Sequence, residues 1–99
     1  MPRYKIAHVK ERDTNGKDVH LIIVPLETAF GDKTPQQQEA AIAEFPMRAS
    51  AANLAGTVIP VWQGHDGRMV SIAPKPWHPF FARISMQWVR EKENRELSW

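Results

Sequence analysis

Ninety-nine residues, 42% of them hydrophobic and 24% charged, make one globular domain with a single modest core and exclude full-length disorder. The absence of cysteine excludes a disulfide framework and a thiolate metal site, and no apolar run reaches the ~18 residues of a membrane span, so a cytoplasmic protein is expected. The net charge of +2 lies wholly after residue 56: residues 1–56 carry seven basic and seven acidic side chains, and the remainder carries six against four.

The chain opens as a hairpin. YKIAHVKERD and KDVHLIIVPL flank Thr14-Asn15-Gly16-Lys17, and Asn-Gly is the strongest two-residue turn signal. A two-residue turn sets Val9 opposite Ile22, Ala7 opposite Val24 and Glu11 opposite His20, and places His8 and His20 on opposite faces. The second strand is apolar on both sides, which predicts a central or doubly covered strand. A helix start follows: Thr34 caps, Pro35 takes the first position and Gln37 completes a capping box. Ala41, Ile42 and Phe45 share a stripe; Pro46 is expected to break the helix, leaving a second piece that ends at Gly56 as its C′ residue.

A second hairpin is predicted around His65-Asp66 or Asp66-Gly67. Either two-residue loop puts Ile59, Val61, Val70 and Ile72 on the core face and turns Trp62 to the other, with Met69 its cross-strand or diagonal neighbour. Pro60 predicts that its own strand is an edge or is bulged. Three prolines in Ala73–Pro79 force an extended crossover, and a last helix is expected from Pro79, with Phe81, Ile84 and Trp88 on its apolar stripe. Arg83, Gln87, Arg90 and Asn94 form the opposite stripe. The tail from about 95 to 99 is expected to fray. The fold class expected is thus α+β: a single domain over 1–99 with an antiparallel, twisted sheet from two hairpins, helices largely on one face, and the order ββααββα.

Candidate chemistry is sparse. The four histidines form no metal or catalytic constellation in the expected register, and no nucleophile elbow, phosphate loop, dinucleotide glycine pattern or HExxH motif occurs. No cofactor is implied, and catalysis is disfavoured without being excluded. Trp62, Met69 and Trp77 are the candidate protein-interaction residues, since an uncovered Trp beside a Met marks a contact surface; Trp77 is also suited to plug the crossover against the core. Arg68, Lys75, Arg83, Gln87 and Arg90, in a stretch with no carboxylate from Gly67 to Arg90, are the candidate nucleic-acid contacts. The function expected is a small non-catalytic binding module, acting on another protein or on a copy of itself through an aromatic surface. The alternative is a small nucleic-acid-binding or regulatory protein that uses the basic face of its last helix.

Overall fold

The computed structural model describes residues 3–13 and 15–98. Two long strands, β1 (Arg3–Arg12) and β2 (Asp18–Leu26), form the first hairpin. A 3₁₀ turn (Thr28–Asp32) leads to α1 (Pro35–Ala51), then to β3 (Thr57–Gln63) and the short β4 (Met69–Ser71). A second 3₁₀ turn (Lys75–Trp77), α2 (His78–Arg83), α3 (Met86–Glu91) and β5 (Arg95–Ser98) complete the chain. The five strands form one sheet in the order β4-β3-β2-β1-β5. The result is a small single domain of the α+β kind, with a Cα radius of gyration of 13.0 Å.

The sheet is mixed, whereas two hairpins laid side by side predict an antiparallel one. β2 and β3 run parallel, Leu21 facing Thr57 through Leu26 facing Trp62, with α1 as the crossover. The doubly apolar β2 is the central strand, as its sequence implies: Leu21, Ile22, Ile23 and Val24 are all fully buried. Because β2 is covered on both sides, the helices divide between the faces instead of sharing one. On the α1 face Ile22, Val24 and Trp62 pack with Phe30, Phe45 and Ala49. On the other, Leu21, Ile23, Ile59 and Val61 pack with Phe81, Met86 and Val89 of α2 and α3.

Both hairpins are slipped by one residue from the expected register, for the same reason. The first is closed by Asp13 N–H to the Lys17 carbonyl (2.8 Å) and Gly16 N–H to the Asp13 carbonyl (3.1 Å), leaving three residues in the loop. Asp13 Oδ1 accepts from the backbone N–H groups of Asn15 and Lys17, and Gly16 takes the positive φ of 78°. Thr14, part of the expected turn, lies outside the described residues. Gly64 to Arg68 repeats the pattern, with Gly67 at φ 83°. Ala7 therefore faces Ile23 and His8 faces Ile22, so His8 and His20 share a face, their rings 5.4 Å apart. In the second hairpin Val61 faces Ser71 and Trp62 faces Val70. Ile59 and Val61 keep the core side with Phe81, but Val70 and Ile72 fall on the Trp62 side and stay 38% and 42% exposed. A slip of one residue exchanges faces, because side chains alternate along a strand.

Pro60 does not make β3 an edge. Its carbonyl accepts from Ile72 N–H (3.1 Å), but it has no N–H to return, which limits the ladder at that point and leaves β4 three residues long and on the edge. α1 begins as expected, with both halves of the Thr34/Gln37 capping box formed, yet runs unbroken through Pro46. Phe45 and Ala49, each 2% exposed, anchor the helix to one core on both sides of the proline, which offsets the hydrogen bond lost there. The C′ residue is Asn53 at φ 61°, not Gly56. Leu54 N–H reaches the Ala49 carbonyl and Asn53 N–H that of Ser50, a Schellman closure.

The expected last helix is divided. Ile84 and Ser85 are extended, and Ser85 Oγ accepts from Trp88 N–H (3.2 Å), restarting the helix as α3. The tail expected to fray forms β5 against β1, Tyr4 facing Leu97, with Leu97 1% exposed. The Asn94 side chain sets that register, accepting from His8 N–H and donating to the His8 carbonyl, both at 2.9 Å. Trp99 lies outside the described residues.

Candidate functional site

The expected aromatic surface is not formed. Trp62 and Trp77 are 7% and 8% exposed and sit on opposite faces of the sheet. Trp62 packs edge-on against Phe30, ring centroids 5.0 Å apart, and Trp77 meets Phe80 at 5.8 Å. Trp77 thus plugs the proline-rich crossover against the core. Met69 projects to the Trp77 side and is partly buried. The slipped register separates it from Trp62.

The basic stripe is likewise redistributed. The break at Ser85 ends the common helical face of Arg83, Gln87, Arg90 and Asn94, and Asn94 is committed to His8. Arg68, Gln87 and Arg90 nevertheless line one open groove of about 1030 Å³ between the β3–β4 hairpin and α2–α3. Its apolar wall comes from Met69, Phe81, Ile84 and Met86. Glu91 also lines it and accepts from the Gln87 amide at 3.2 Å, which offsets part of the positive charge. Alternation starts the Arg68 side chain toward the α1 face, opposite Met69, so Arg90 is the principal cation of the groove. Arg68, Arg83 and Arg90 make no ion pair among the described residues, and neither Lys75 nor Arg83 lines this groove.

Beside the groove runs the outer edge of β4. Gly64 N–H bonds the Arg68 carbonyl at 2.8 Å and Ile72 N–H bonds that of Pro60, so the even-numbered residues direct their backbone groups to β3. Met69 and Ser71 then direct theirs away from the sheet. Val70 and Ile72, two of the three large hydrophobics exposed among the described residues, flank these groups. The opposite edge differs: β5 carries Arg95 and Glu96, and such charges blunt an edge. Assigning Val70 and Ile72 to the core concealed the β4 edge in the sequence. The available signal was Gly67, placed as the last residue of a three-residue loop, as Gly16 is in the first hairpin.

One polar pair ties the β3–β4 turn to the rest of the chain. His65 Nε2 lies 2.8 Å from Asp32 Oδ1, with both side chains largely exposed. The hydrogen bond and then the charge of Asp32 hold the His65 imidazole above its ordinary value of 6.5. A raised pKa means that the stabilisation is complete below about 6.5 and is lost as pH rises through the raised value. In an NMR titration Asp32→Asn is expected to return His65 toward 6.5; an unchanged titration would show that the pair does not form in solution.

Among the described residues no group of three or more His, Asp or Glu side chains is placed to hold a metal ion, and no helix is long and apolar enough to cross a membrane. No protein-family model matches the chain, and comparison with curated proteins and with solved structures finds no significant match. Any functional reading therefore rests on the geometry of the edge and the groove.

Proposed function

We propose that this protein is a non-catalytic binding module that takes an extended segment of a protein chain as an added strand on β4. The observation that carries the reading is the β4 edge itself, with the Met69 and Ser71 backbone groups directed outward beside exposed Val70 and Ile72. A strand laid there gains main-chain hydrogen bonds, and its alternate side chains supply selectivity. Side chains on the Met69 side meet the groove wall of Ile84 and Met86, with Arg90 available to a carboxylate. Those on the other side cover Val70 and Ile72, the apolar surface that strand alternation leaves outside the core.

Ser71→Pro tests this with little disturbance of the fold. It removes one outward N–H, and proline is tolerated where an edge strand's N–H faces solvent. Peptides selected from a displayed random library on the wild-type protein are expected to bind Ser71→Pro at least about tenfold more weakly, the equivalent of losing one or more net hydrogen bonds. Failure to select any binder, or binders indifferent to Ser71→Pro, would overturn the reading.

Nucleic acid is the second reading, favoured by the gathering of Arg68, Gln87 and Arg90 on one groove. It has less support: Glu91 shares that groove, Lys75 and Arg83 lie outside it, and a net charge of +2 supplies little counterion-release drive. Salt-sensitive oligonucleotide binding that Arg90→Ala abolishes and Ser71→Pro leaves intact would favour it over the added strand.

A further inference from the structure

We infer that the strand occupying the β4 edge is β4 of a second copy, paired antiparallel about a two-fold axis through Val70. The inference rests on the edge-binding reading above and names its partner. In this register Met69 of one copy faces Ser71 of the other, and both such pairs exchange N–H and C=O, using the backbone groups that β3 leaves unpaired. Val70 meets Val70 of the second copy across the axis, and Ile72 falls on the same face within reach of it. Exposed Val70 is then covered by its own equivalent and Ile72 by the diagonal Val70, with Arg68 of the second copy opposite it, a self-complementary contact of the kind a two-fold requires.

Charge selects the direction. The antiparallel arrangement brings the turn carrying Asp66 beside the end of the other copy's strand, where Lys75 begins its 3₁₀ turn. A parallel arrangement sets Asp66 beside Asp66 and Lys75 beside Lys75. The sheet's other edge does not extend the assembly, since β5 bears Arg95 and Glu96, so association closes at two copies. One short strand pair buries less than a standard interface of about 1,200–2,000 Å², so the dimer is expected to fill only at high protein concentration.

The chain contains no cysteine, which makes a disulfide test clean. Val70 and its symmetry mate form a non-hydrogen-bonded pair, with Cα atoms about 4.5 Å apart, inside the range a disulfide spans. Under mild oxidation Val70→Cys is expected to give a covalent dimer about tenfold faster than Met69→Cys or Ser71→Cys, whose sulfurs stand two residues out of register with their own copies. Light scattering on the cysteine-free chain is expected to show mass rising toward twice the monomer with concentration. Equal cross-linking at all three positions would overturn the register. A monomer at every concentration, with no cross-linked Val70→Cys, would overturn self-pairing. If Ser71-sensitive peptides are still selected in that case, only the identity of the partner fails; if none are, the edge-binding reading fails with it.

Discussion

Val61→Asp is expected to unfold the domain, whereas Val70→Asp leaves it folded. Val61 is fully buried in the cluster of Leu21, Ile23, Ile59 and Phe81, beneath α2 and α3. An uncompensated carboxylate there falls in the class of substitutions that cost more than about 4 kcal/mol. The total stability of such domains is only about 5–15 kcal/mol. Val70, 38% exposed on the other face, can hold a carboxylate in water at a cost within about 1 kcal/mol. Urea denaturation followed by far-UV circular dichroism separates the two. Equal losses would mean that the second hairpin takes the two-residue-loop register, in which both valines share the core face.

Gly56→Ala is expected to be the most damaging of the glycine replacements at the positive-φ positions, for a reason of space as well as conformation. Gly56 has φ 148°, and a Cβ there would lie 2.6 Å from the His20 carbonyl oxygen and 3.0 Å from its carbon. The obstruction is backbone, and it cannot yield easily: His20 pairs with Lys10 at the start of the buried run of β2. Strained backbone and overpacking together put the loss at about 2–4 kcal/mol. Gly16→Ala is the control, since Gly16 also has positive φ (78°) but nothing within 4 Å of a built Cβ. That variant is expected to lose only about 1–2 kcal/mol, the conformational part alone. Urea unfolding that gave the two variants equal losses would remove the close approach of Gly56 to β2 as a source of stability.

The two hairpins show where reading the sequence stops. Apolar alternation and turn glycines locate both of them, but a two-residue and a three-residue loop draw on the same residues. The choice depends on where the glycine sits and, in the first loop, on two backbone bonds to Asp13 Oδ1. The one-residue difference moves Val70 and Ile72 from core to surface and brings His8 and His20 onto one face. The groove was legible only as scattered residues. Arg68 and Met69 come from the second hairpin and Gln87 and Arg90 from α3, and the break at Ser85 decides which helical residues meet them.

Local rules sufficed wherever the deciding groups are close in sequence. The capping box of α1 joins residues three apart, and the central place of β2 follows from an apolar run with no polar face to give to water. Tertiary structure alone decided the parallel pairing of β2 with β3, the continuity of α1 through Pro46 and the docking of β5 on β1. Each of these sets a local preference against burial gained across long stretches of chain. Phe45 and Ala49 outweigh the hydrogen bond lost at Pro46, and Leu97 with the Asn94–His8 bonds outweighs the entropy of a free tail. Those gains exist only when residues as far apart in the chain as Tyr4 and Leu97 are brought together, and no local window of the sequence contains both partners.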